Sequence, residues 1–426
     1  MSNTKNNKAW KELFDKYNIL NNIEKNAIFE IASEQINEFR EARLMTKFDH
    51  KKNLPKIFTD NQLSILPITR GSYLISHFEA YKNFEEINSD VIRFPFPTHI
   101  ESIDFENITS EATALNCAYV SGILADFMGD EEILPTVSGR MSSNSFNFNI
   151  MNTRTKTNVS VNVANSQIEI DGGYEGLETL ALIEAKNSIS DDFLVRQLYY
   201  PYRLWSNSIS KKVKSLFLTY SNGIFSFYEY DFGEPNNYNS LILLKQKNYS
   251  IEQTEISLED IIQVFQQIKL IVEPKIPFPQ ADNFKRVINL CELLNENDFT
   301  REEITTNYDF DPRQTNYYTD AGRYLGLIQK RTENRQIIFS LTDEGQRLFR
   351  LKYKPRQLKF MELILKHKAF NQVFKKCITD GEMPGKREIV EIMKNSNLYN
   401  VKSEDTFYRR ASSIVAWIDW ILGLQV

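Results

Sequence analysis

Cysteine and histidine are scarce in this chain of 426 residues, and their scarcity argues against two kinds of site. The three cysteines, Cys117, Cys291 and Cys377, lie too far apart for a disulfide framework or a CxxC zinc motif. The four histidines are scattered without the spacing of metal ligands. Any metal site in this protein is therefore expected to use oxygen ligands.

Long hydrophobic runs are also missing. No apolar stretch approaches the roughly 20 residues that span a bilayer, and the beginning, MSNTKNNKAW, lacks a signal-peptide pattern. Hydrophobic residues make up 42% of the chain and charged residues 25%, close to globular averages. We therefore expect a cytoplasmic protein with no membrane partner, and the length alone gives two or three domains as the starting expectation.

The chain has no large excess of either charge, because its net charge is only -5. The charges are, however, distributed unevenly along the sequence. Residues 1 to 280 sum to about -9 and residues 281 to 426 to about +4, with 321 to 380 alone near +9. An acidic body with basic modules is compatible with a nucleic-acid partner, because binding to phosphates needs only a local basic patch.

Two proline clusters divide the chain. The segment IVEPKIPFPQADN restricts the backbone to extended conformations and predicts a linker at residues 273 to 283. The cluster RFPFPTH predicts a boundary near residue 105. The expected domains are 1–105, 106–272, 284–355 and 356–426.

The amino-terminal domain is expected to be helical, because Trp10, Phe14, Tyr17 and Leu20 recur at helical spacing. It also contains the basic stretch REARLMTKFDHKKNLPKIF. One interpretation of this stretch is a solvated face beside a turn. The other is a surface that contacts phosphates and takes part in DNA recognition.

The central region has the pattern of an α/β domain. A helix is predicted from about Ser110 to Phe127, followed by the strand-like runs NVSVNVANSQIEID, TLALIEAK and KSLFLTYSNGIFSFYEYDF. The Ser-Asn-Gly within the last run predicts a hairpin turn. A helix, SDDFLVRQLYYPYRLW, is predicted between the second and third runs. This order predicts a mixed sheet flanked by helices.

The most informative stretch is QIEIDGGYEGLETLALIEAKN, residues 167 to 187. Its apolar run, Leu180 to Ile183, is typical of a strand that is covered on both faces, yet the run continues directly into charged residues. Side chains alternate along a strand, so Glu184 and Lys186 are expected on the same face. A carboxylate and an ammonium at the end of a buried strand indicate a function.

A hairpin centred on residues 177 and 178 would pair Asp171 with Glu184 and place Lys186 opposite Glu169. Directly opposed residues have Cβ atoms roughly 5 Å apart, so the two carboxylates would repel each other unless a cation lay between them. Such a pair predicts a site for a hard divalent ion with open water positions, as Mg²⁺ prefers.

These residues resemble the PD-(D/E)xK nuclease superfamily, and within it the type II restriction endonucleases. The resemblance implies a restriction-endonuclease-like α/β core with Mg²⁺ as its cofactor. It implies that Asp171, Glu184 and the carbonyl of Ala185 are metal ligands. It also implies that Lys186 orients the attacking water and stabilises the charge that develops on the phosphate.

The helix that follows carries Gln197 and Tyr200, where related nucleases often place a Gln and a Tyr beside the site. The alternative is that both are ordinary helix residues. The sequence departs from the family pattern at Ile170, where a proline is common. An alternative interpretation of the motif is a surface hairpin in which Glu184 and Lys186 form an exposed ion pair. Glu111, an accessory carboxylate in one interpretation, is in the other a first-turn residue favoured by the helix dipole.

Residues 284 to 355 have the pattern of a winged helix. Thr300 to Glu303 form a capping box, and Asp311 caps a further helix that has a proline at its first position. In such modules this helix lies in the major groove of DNA, and the following basic turn lies near phosphates. The residues expected to contact DNA from this unit are Arg313, Asn316 and Tyr317 on the helix and Lys330, Arg331 and Arg335 on the wing. The alternative is a winged helix used for protein contacts.

A second winged helix is predicted from 356 to 426, with Arg409 and Arg410 as further DNA contacts on a long helix capped by Ser403. Tandem winged helices joined to a nuclease domain resemble restriction enzymes in their architecture.

These features together predict a Mg²⁺-dependent, sequence-specific double-stranded DNA endonuclease of the type II restriction class. Such an enzyme is expected to act as a homodimer on DNA and to be accompanied by a cognate DNA methyltransferase. Two alternatives remain: a repair or recombination nuclease that selects DNA structure on the same fold, and a DNA-binding transcriptional regulator with an inactive nuclease-like domain.

Overall fold

The computed structural model describes residues 4–85, 90–252 and 254–425. The protein is a mixed α/β structure built around a seven-stranded sheet. Within the described residues, helices are too short or too polar to cross a membrane.

The amino-terminal region combines short helices with a small sheet. The helices are α1 (Lys5–Lys16), α2 (Ile19–Asn26), α3 (Ser33–Asn37), α4 (Ala42–Thr46) and α5 (Lys56–Asp60), with a 3₁₀ turn at Lys51–Asn53. The strands are β1 (Phe29–Ala32), β2 (Ser64–Pro67) and β3 (Ser72–Ser76), in the order β1-β3-β2. Trp10 is fully buried at the centre, and its indole nitrogen donates to the carbonyl of Met45 at 2.9 Å. The predicted helical start is confirmed by α1 and α2, but the domain also contains a three-stranded sheet that was not predicted. Strands of four or five residues are too short to give a clear alternation signal.

The next two strands belong with the central region. Strand β4 (Tyr81–Asn83) pairs with residues 192–194, and β5 (Val91–Arg93) joins the edge of the large sheet. The amino-terminal unit therefore ends near residue 76, whereas a boundary near 105 was predicted. The prolines of residues 93–99 mark the end of an edge strand rather than a domain boundary.

The large sheet has the order β5-β14-β13-β12-β10-β9-β6. Its elements and their neighbours, in chain order, are α6 (Glu111–Val120), α7 (Ile123–Met128), β6 (Leu134–Ser142), β7 (Ser145–Met151), β8 (Asn158–Ala164), β9 (Gln167–Glu175), β10 (Thr179–Lys186), β11 (Asp192–Leu194), α8 (Arg196–Ser206), β12 (Lys212–Ser221), β13 (Ile224–Phe232) and β14 (Leu241–Ser250), with a 3₁₀ turn at Tyr238–Ser240. Strands β6, β9 and β10 are antiparallel neighbours, and β12 runs parallel to β10. The separate hairpin of β7 and β8 packs against α8.

Strand β10 is buried on both faces, as its apolar run predicts. Leu180 and Leu182 pack in the core on the side of α8, whereas Ala181 and Ile183 pack in the core on the side of α6 and α7. The predicted hairpin turn between β12 and β13 is confirmed, with Asn222 and Gly223 both at positive φ, as a two-residue type I′ turn requires.

The carboxy-terminal region starts with α9 (Leu258–Gln267), which packs against helices further along the chain. The first part consists of α10 (Phe284–Glu296), β15 (Phe299–Thr300), α11 (Arg301–Asn307), α12 (Pro312–Tyr324), β16 (Ile328–Glu333), β17 (Gln336–Leu341) and α13 (Asp343–Phe349), with the sheet order β15-β17-β16. The predicted linker is extended, but it is not free: Phe278 and Ala281 are buried, and Trp417 donates to the carbonyl of Ala281 at 2.7 Å.

The last part is entirely helical: α14 (Tyr353–Leu365), α15 (Lys368–Asp380), α16 (Lys386–Lys394) and α17 (Glu404–Leu422). Among the described residues from 353 to 422 there is no β-strand, so the prediction of a second winged helix is wrong. The apolar residues in this part repeat at helical spacing, and its turns connect helices. No pair of β-prone runs is available to form a wing.

A test of the sheet concerns Gly173, where β9 lies close to β6. A Cβ added at this position would lie 2.6 Å from Cβ of Val137 and 3.0 Å from the Val137 carbonyl oxygen. We expect Gly173→Ala to lower the free energy of unfolding by about 1–3 kcal/mol, because strand backbones must shift. Denaturant unfolding measures this change.

The matched control is Gly233→Ala, because an added Cβ there meets nothing within 4 Å and the residue has an ordinary φ. This control should change stability by no more than about 0.5 kcal/mol. Equal stability of the two variants would contradict the close packing of β9 on β6.

Candidate active site

Asp171 lies at an irregular point of β9. The register between β6 and β9 shifts by one residue between the pairs Val137–Gly173 and Gly139–Ile170. Strand β9 therefore contains a β-bulge that includes Asp171. Bulges redirect side chains and are frequent beside active sites.

The predicted hairpin of β9 and β10, centred on residues 177 and 178, is confirmed. Its last ladder pair joins Ile183 with Gly172, and Asp171 and Glu184 come next in the same register. Beyond this pair the main chains no longer pair. Instead, Oδ2 of Asp171 accepts a hydrogen bond of 2.8 Å from the backbone N–H of Ala185. The two strands stop pairing where the two carboxylates lie.

The predicted contact between Lys186 and Glu169 is wrong. Oε1 of Glu169 accepts a hydrogen bond of 3.1 Å from Nε of Arg140 on β6, and both side chains are exposed. The cause is the bulge, after which β9 continues to follow β6 rather than β10.

Glu184 is the most deeply buried carboxylate of the group, with an exposure of 8%. Its Oε1 accepts hydrogen bonds from Nζ of Lys186 at 2.5 Å and from Nε2 of Gln197 at 2.6 Å. Burial raises the pKa of Glu184 to about 7, and the charge of Asp171 contributes to the rise while Lys186 opposes it. The alternative of an exposed surface ion pair does not fit this burial.

Lys186 is surrounded by oxygen atoms. Besides Glu184, its Nζ contacts the carbonyl oxygen of Ala185 at 3.1 Å and lies 3.9 Å from Oε1 of Glu111. Burial lowers the pKa of Lys186, but the surrounding carboxylates outweigh burial and raise it. The side chain is therefore a cation at neutral pH.

Two further carboxylates join the group. Glu111, at the first position of α6, lies close to Lys186, and burial raises its pKa. Asp49, from the amino-terminal region, is near enough for its charge to raise the pKa values of Glu184 and Lys186. The sequence offered a signal for Glu111 in its position at a helix start, but none for Asp49, whose place depends on the packing of two regions.

Of the two predicted residues on α8, Gln197 belongs to the group around Glu184 and Lys186, whereas Tyr200 does not. The amide of Gln197 donates to Oε1 of Glu184 at 2.6 Å, so this side chain lies beside the buried carboxylate. The hydroxyl of Tyr200 instead donates to the carbonyl of Pro67 at 2.9 Å, and the ring is fully buried. Tyr200 is thus a core residue of the same helix.

This donor set fits a hard divalent cation. Asp171, Glu184 and the Ala185 carbonyl provide oxygen ligands, which Mg²⁺ prefers. The ammonium of Lys186 already contacts Glu184 and the Ala185 carbonyl, so these two oxygens converge on a point of positive charge. Four carboxylates surround this point, those of Asp49, Glu111, Asp171 and Glu184. When all are ionised, they carry more negative charge than one ammonium can balance.

The residues expected to contact DNA lie in two places. On α12, Arg313 is exposed, whereas Asn316 and Tyr317 are half-buried. In the hairpin of β16 and β17, Lys330 and Arg335 are exposed. These placements leave Arg313, Lys330 and Arg335 accessible to a ligand.

Arg331 has partners within the protein. Its guanidinium bonds to Asp298 at 2.8 Å and to Glu333 at 2.5 Å, so it has less charge to offer a phosphate than its neighbours in the wing.

On α17, Arg409 is exposed and Arg410 is half-buried. The Nε and Nη1 atoms of Arg410 are buried without a hydrogen-bond partner. The pKa of Arg410 is lowered by burial, while Tyr317 and Asp320 of α12 oppose this shift. The two predicted contact regions, α12 and α17, are therefore neighbours.

A second group of buried ionisable residues lies where the three regions meet. Atoms of His50, Asp192 and Asp309 lie within 4.8 Å of one another. Lys52 and Arg286 each lie 3.5 Å from Oδ2 of Asp309. Because these two cations already face the carboxylates, the group has the character of an ion network and not of an Mg²⁺ site.

Three family models match successive parts of the chain, and each is described as a domain of unknown function: DUF6996 matches residues 7–75, DUF6997 matches residues 76–250, and DUF7226 matches residues 286–426. No curated protein and no solved structure matches the chain. The division between the first two models agrees with the pairing of β4 and β5 with the central region.

The raised pKa of Glu184 predicts a dependence of stability on pH in the metal-free protein. Folding raises this pKa from its ordinary value of 4.5 to about 7, so the folded protein binds more protons than the unfolded chain between these values. The resulting stability, up to about 3 kcal/mol, is present below pH 4.5 and is lost as the pH rises through 7. Glu184→Gln should remove this loss, because the amide does not titrate.

Urea unfolding at several pH values in the presence of EDTA measures the effect. The control is Glu175→Gln, which changes a partly exposed carboxyl of the same hairpin and should keep the natural pH dependence. If Glu184→Gln and the natural chain lose stability in parallel between pH 4.5 and 7, Glu184 is not the group whose protonation causes the pH dependence.

Proposed function

We propose that this protein is a Mg²⁺-dependent, sequence-specific double-stranded DNA endonuclease of the restriction type. It would act in the cytoplasm, as a homodimer on DNA because two strands are cut, and together with a cognate DNA methyltransferase. The observation that carries the proposal is the convergence of Asp171, Glu184 and Lys186 where β9 and β10 stop pairing, with Gln197 bound to the buried carboxylate.

The order of elements around the site supports this assignment. Helices α6 and α7 are followed by the antiparallel strands β6, β9 and β10, then by α8, and then by β12 parallel to β10. This is the order that a PD-(D/E)xK core requires, with the β7–β8 hairpin as an insertion. Fold alone does not carry a function, so the proposal rests on the side chains of the site.

The side chains have separable roles in phosphodiester hydrolysis. Asp171, Glu184 and the Ala185 carbonyl would hold Mg²⁺, which when bound supplies a nucleophile by lowering the pKa of water and neutralises charge on the phosphate. Gln197 fixes the orientation of the Glu184 carboxylate. Lys186, a cation at neutral pH, donates to the attacking water oxygen or to the phosphate oxygen where negative charge grows.

Because Lys186 remains charged, its role is electrostatic and not that of a general base. A general base must be deprotonated near the working pH, and the surrounding carboxylates oppose this. The proton released by water would pass to solvent or to the phosphate.

Recognition is assigned to the carboxy-terminal region. The order α10, β15, α11, α12, β16, β17 is that of a winged helix, and Arg313 lies exposed at the start of the helix that would enter the major groove. Arg313 suits a guanine edge, whereas Lys330 and Arg335 suit phosphates. The all-helical part from α14 to α17 adds Arg409 beside α12.

We expect Glu184→Ala and Lys186→Ala to abolish cleavage of phage DNA in Mg²⁺ while leaving DNA affinity within about threefold. Each variant removes a group that acts on the reacting phosphate and not on sequence recognition. Gel assays of cleavage and fluorescence anisotropy of labelled DNA measure the two properties separately.

The control is Lys214→Ala, which removes a largely buried lysine of the same sheet that lies near Glu229. It should cleave like the natural chain, since Lys245 also pairs with Glu229. Retained nicking by the purified Lys186→Ala variant would refute the site assignment. Intact DNA with the natural chain under all divalent ions would favour a regulator.

For recognition, we expect Arg313→Ala to weaken binding to the cleaved sequence by about 1–3 kcal/mol and to leave non-specific binding nearly unchanged. Anisotropy titrations with the cleaved sequence and with a scrambled duplex measure both affinities. Arg347→Ala, which removes an exposed arginine on α13, serves as the control. Unchanged specific affinity of Arg313→Ala would move recognition to the amino-terminal region.

A further inference from the structure

The residues directly after Lys186 form a segment, 187–192, that belongs to no strand before Asp192, the first residue of β11. This segment connects the end of β10 to β11 and α8, so both Lys186 and Gln197 depend on its path. The backbone N–H of Phe84 donates to the carbonyl of Asp191, and Asp192 pairs with Asn83, but the other bonds to the segment's backbone come from side chains of other regions. The largest share comes from α10 and from the loop before α12.

One face of α10 carries three polar side chains at successive turns: Arg286, Asn289 and Glu292. Spacing of three residues places them on one side of the helix. Arg286 and Asn289 are buried, at 4% exposure each. This polar face lies against the carboxyl ends of the parallel strands β10 and β12.

Asn289 makes two hydrogen bonds to the segment. Its Nδ2 donates to the carbonyl of Asn187 at 2.8 Å, and its Oδ1 accepts from the N–H of Ile189 at 3.0 Å. Asn187 is the residue next to Lys186. The buried side-chain amide of Asn289 thus pairs with the main-chain carbonyl one residue after Lys186 and with the main-chain N–H three residues after it.

Asp309 and Arg286 hold the far end of the segment. Oδ2 of Asp309 accepts from the N–H of Asp191 at 2.7 Å, and Arg286 lies 3.5 Å from the carboxylate of Asp191. Asp309 is only two residues from Asp311, the cap of α12. The contact therefore joins the start of the helix assigned to recognition with the segment that follows Lys186.

The amino-terminal region completes this clamp. Lys52 pairs with Asp191, and Nδ1 of His50 is bonded to the carbonyl of Asp192 at 2.7 Å. Lys52 and Arg286 face the carboxylates of both Asp191 and Asp309. Burial lowers the pKa of the His50 imidazole, but the carboxylates of Asp192 and Asp309 outweigh it and raise the pKa. These charged groups connect the amino-terminal, central and carboxy-terminal regions.

From these contacts we infer that Asn289, together with Arg286 and Asp309, positions Lys186 for catalysis by holding segment 187–192. The inference rests on the nuclease function proposed above and deepens it. The hydrogen bonds of Asn289 go to Asn187, Ile189 and Glu292 and not to the proposed metal ligands, so it is a positioning residue. Loss of its two hydrogen bonds to the segment should let the main chain after Lys186 shift, and a displacement of about 1 Å costs about 100-fold in rate.

The test compares Asn289→Ala with Gln357→Ala. Gln357 is fully buried in the same interface between the central and carboxy-terminal regions, where it exchanges two hydrogen bonds with Asn222 at 2.7 and 3.1 Å. Both variants thus lose two hydrogen bonds across one interface. Only Asn289→Ala loses contacts to the segment that follows Lys186.

Single-turnover cleavage in Mg²⁺, DNA affinity in Ca²⁺ and melting temperature are measured for both variants and the natural chain. We expect Asn289→Ala to cleave about 100-fold more slowly with DNA affinity within twofold of the natural chain. Gln357→Ala should cleave at the natural rate although its melting temperature falls comparably. Equal cleavage rates of the two variants would overturn the inference.

If Asn289→Ala does not fold, Asn289→Asp takes its place, because it keeps the acceptor for Ile189 and loses the Nδ2 donor to Asn187 and Glu292. It should cleave about tenfold more slowly, and a natural rate would overturn the inference. If the natural chain cleaves DNA and the variant cleaves at the same rate, the positioning role is refuted but the proposed nuclease function is not. No cleavage by the natural chain refutes the proposed function and the positioning role together.

Discussion

The charge balance around Lys186 is the constraint on which the site depends. Glu184 is buried at the end of β10, and its carboxylate is tolerated there because Lys186 and Gln197 donate to the same oxygen. Four carboxylates nevertheless face one ammonium when all are ionised. Burial raises the pKa of Glu184 to about 7, and the charges of Asp171 and Asp49 add to the rise while Lys186 opposes it. The excess negative charge favours a divalent cation in the same place.

The fold creates this balance by bringing together elements that are distant in sequence. The bulge in β9 turns Asp171 towards the end of β10, and burial of β10 on both faces fixes the position of Glu184. Helix α6 adds Glu111, α8 adds Gln197, and the amino-terminal region brings Asp49 near. Beyond Lys186, α10 and the loop before α12 hold the main chain. The site is thus a meeting point of all three regions.

Local sequence patterns predicted the parts of the site that lie within one hairpin and its neighbouring helix. Alternation and a centrally placed turn were sufficient to predict the register of β9 and β10, in which Asp171 and Glu184 follow the last ladder pair, because a register error of one residue would turn the apolar side chains of β10 outward. The bulge, and with it the partner of Glu169, could not be predicted, since it depends on pairing with β6. Asp49 and Asn289 were missed for a related reason. Their roles arise from contacts between regions, which leave no periodic signal in the chain.

Direct location of the cation tests the central claim most sharply. Crystals of the natural chain grown with Mn²⁺, a substitute for Mg²⁺ with a measurable anomalous signal, would show where the metal binds. The account predicts one anomalous peak within about 2.3 Å of oxygens from Asp171, Glu184 and the Ala185 carbonyl, with Lys186 displaced from Glu184. A peak at His50, Asp192 and Asp309 instead, or none near Glu184 at saturating Mn²⁺, would contradict it.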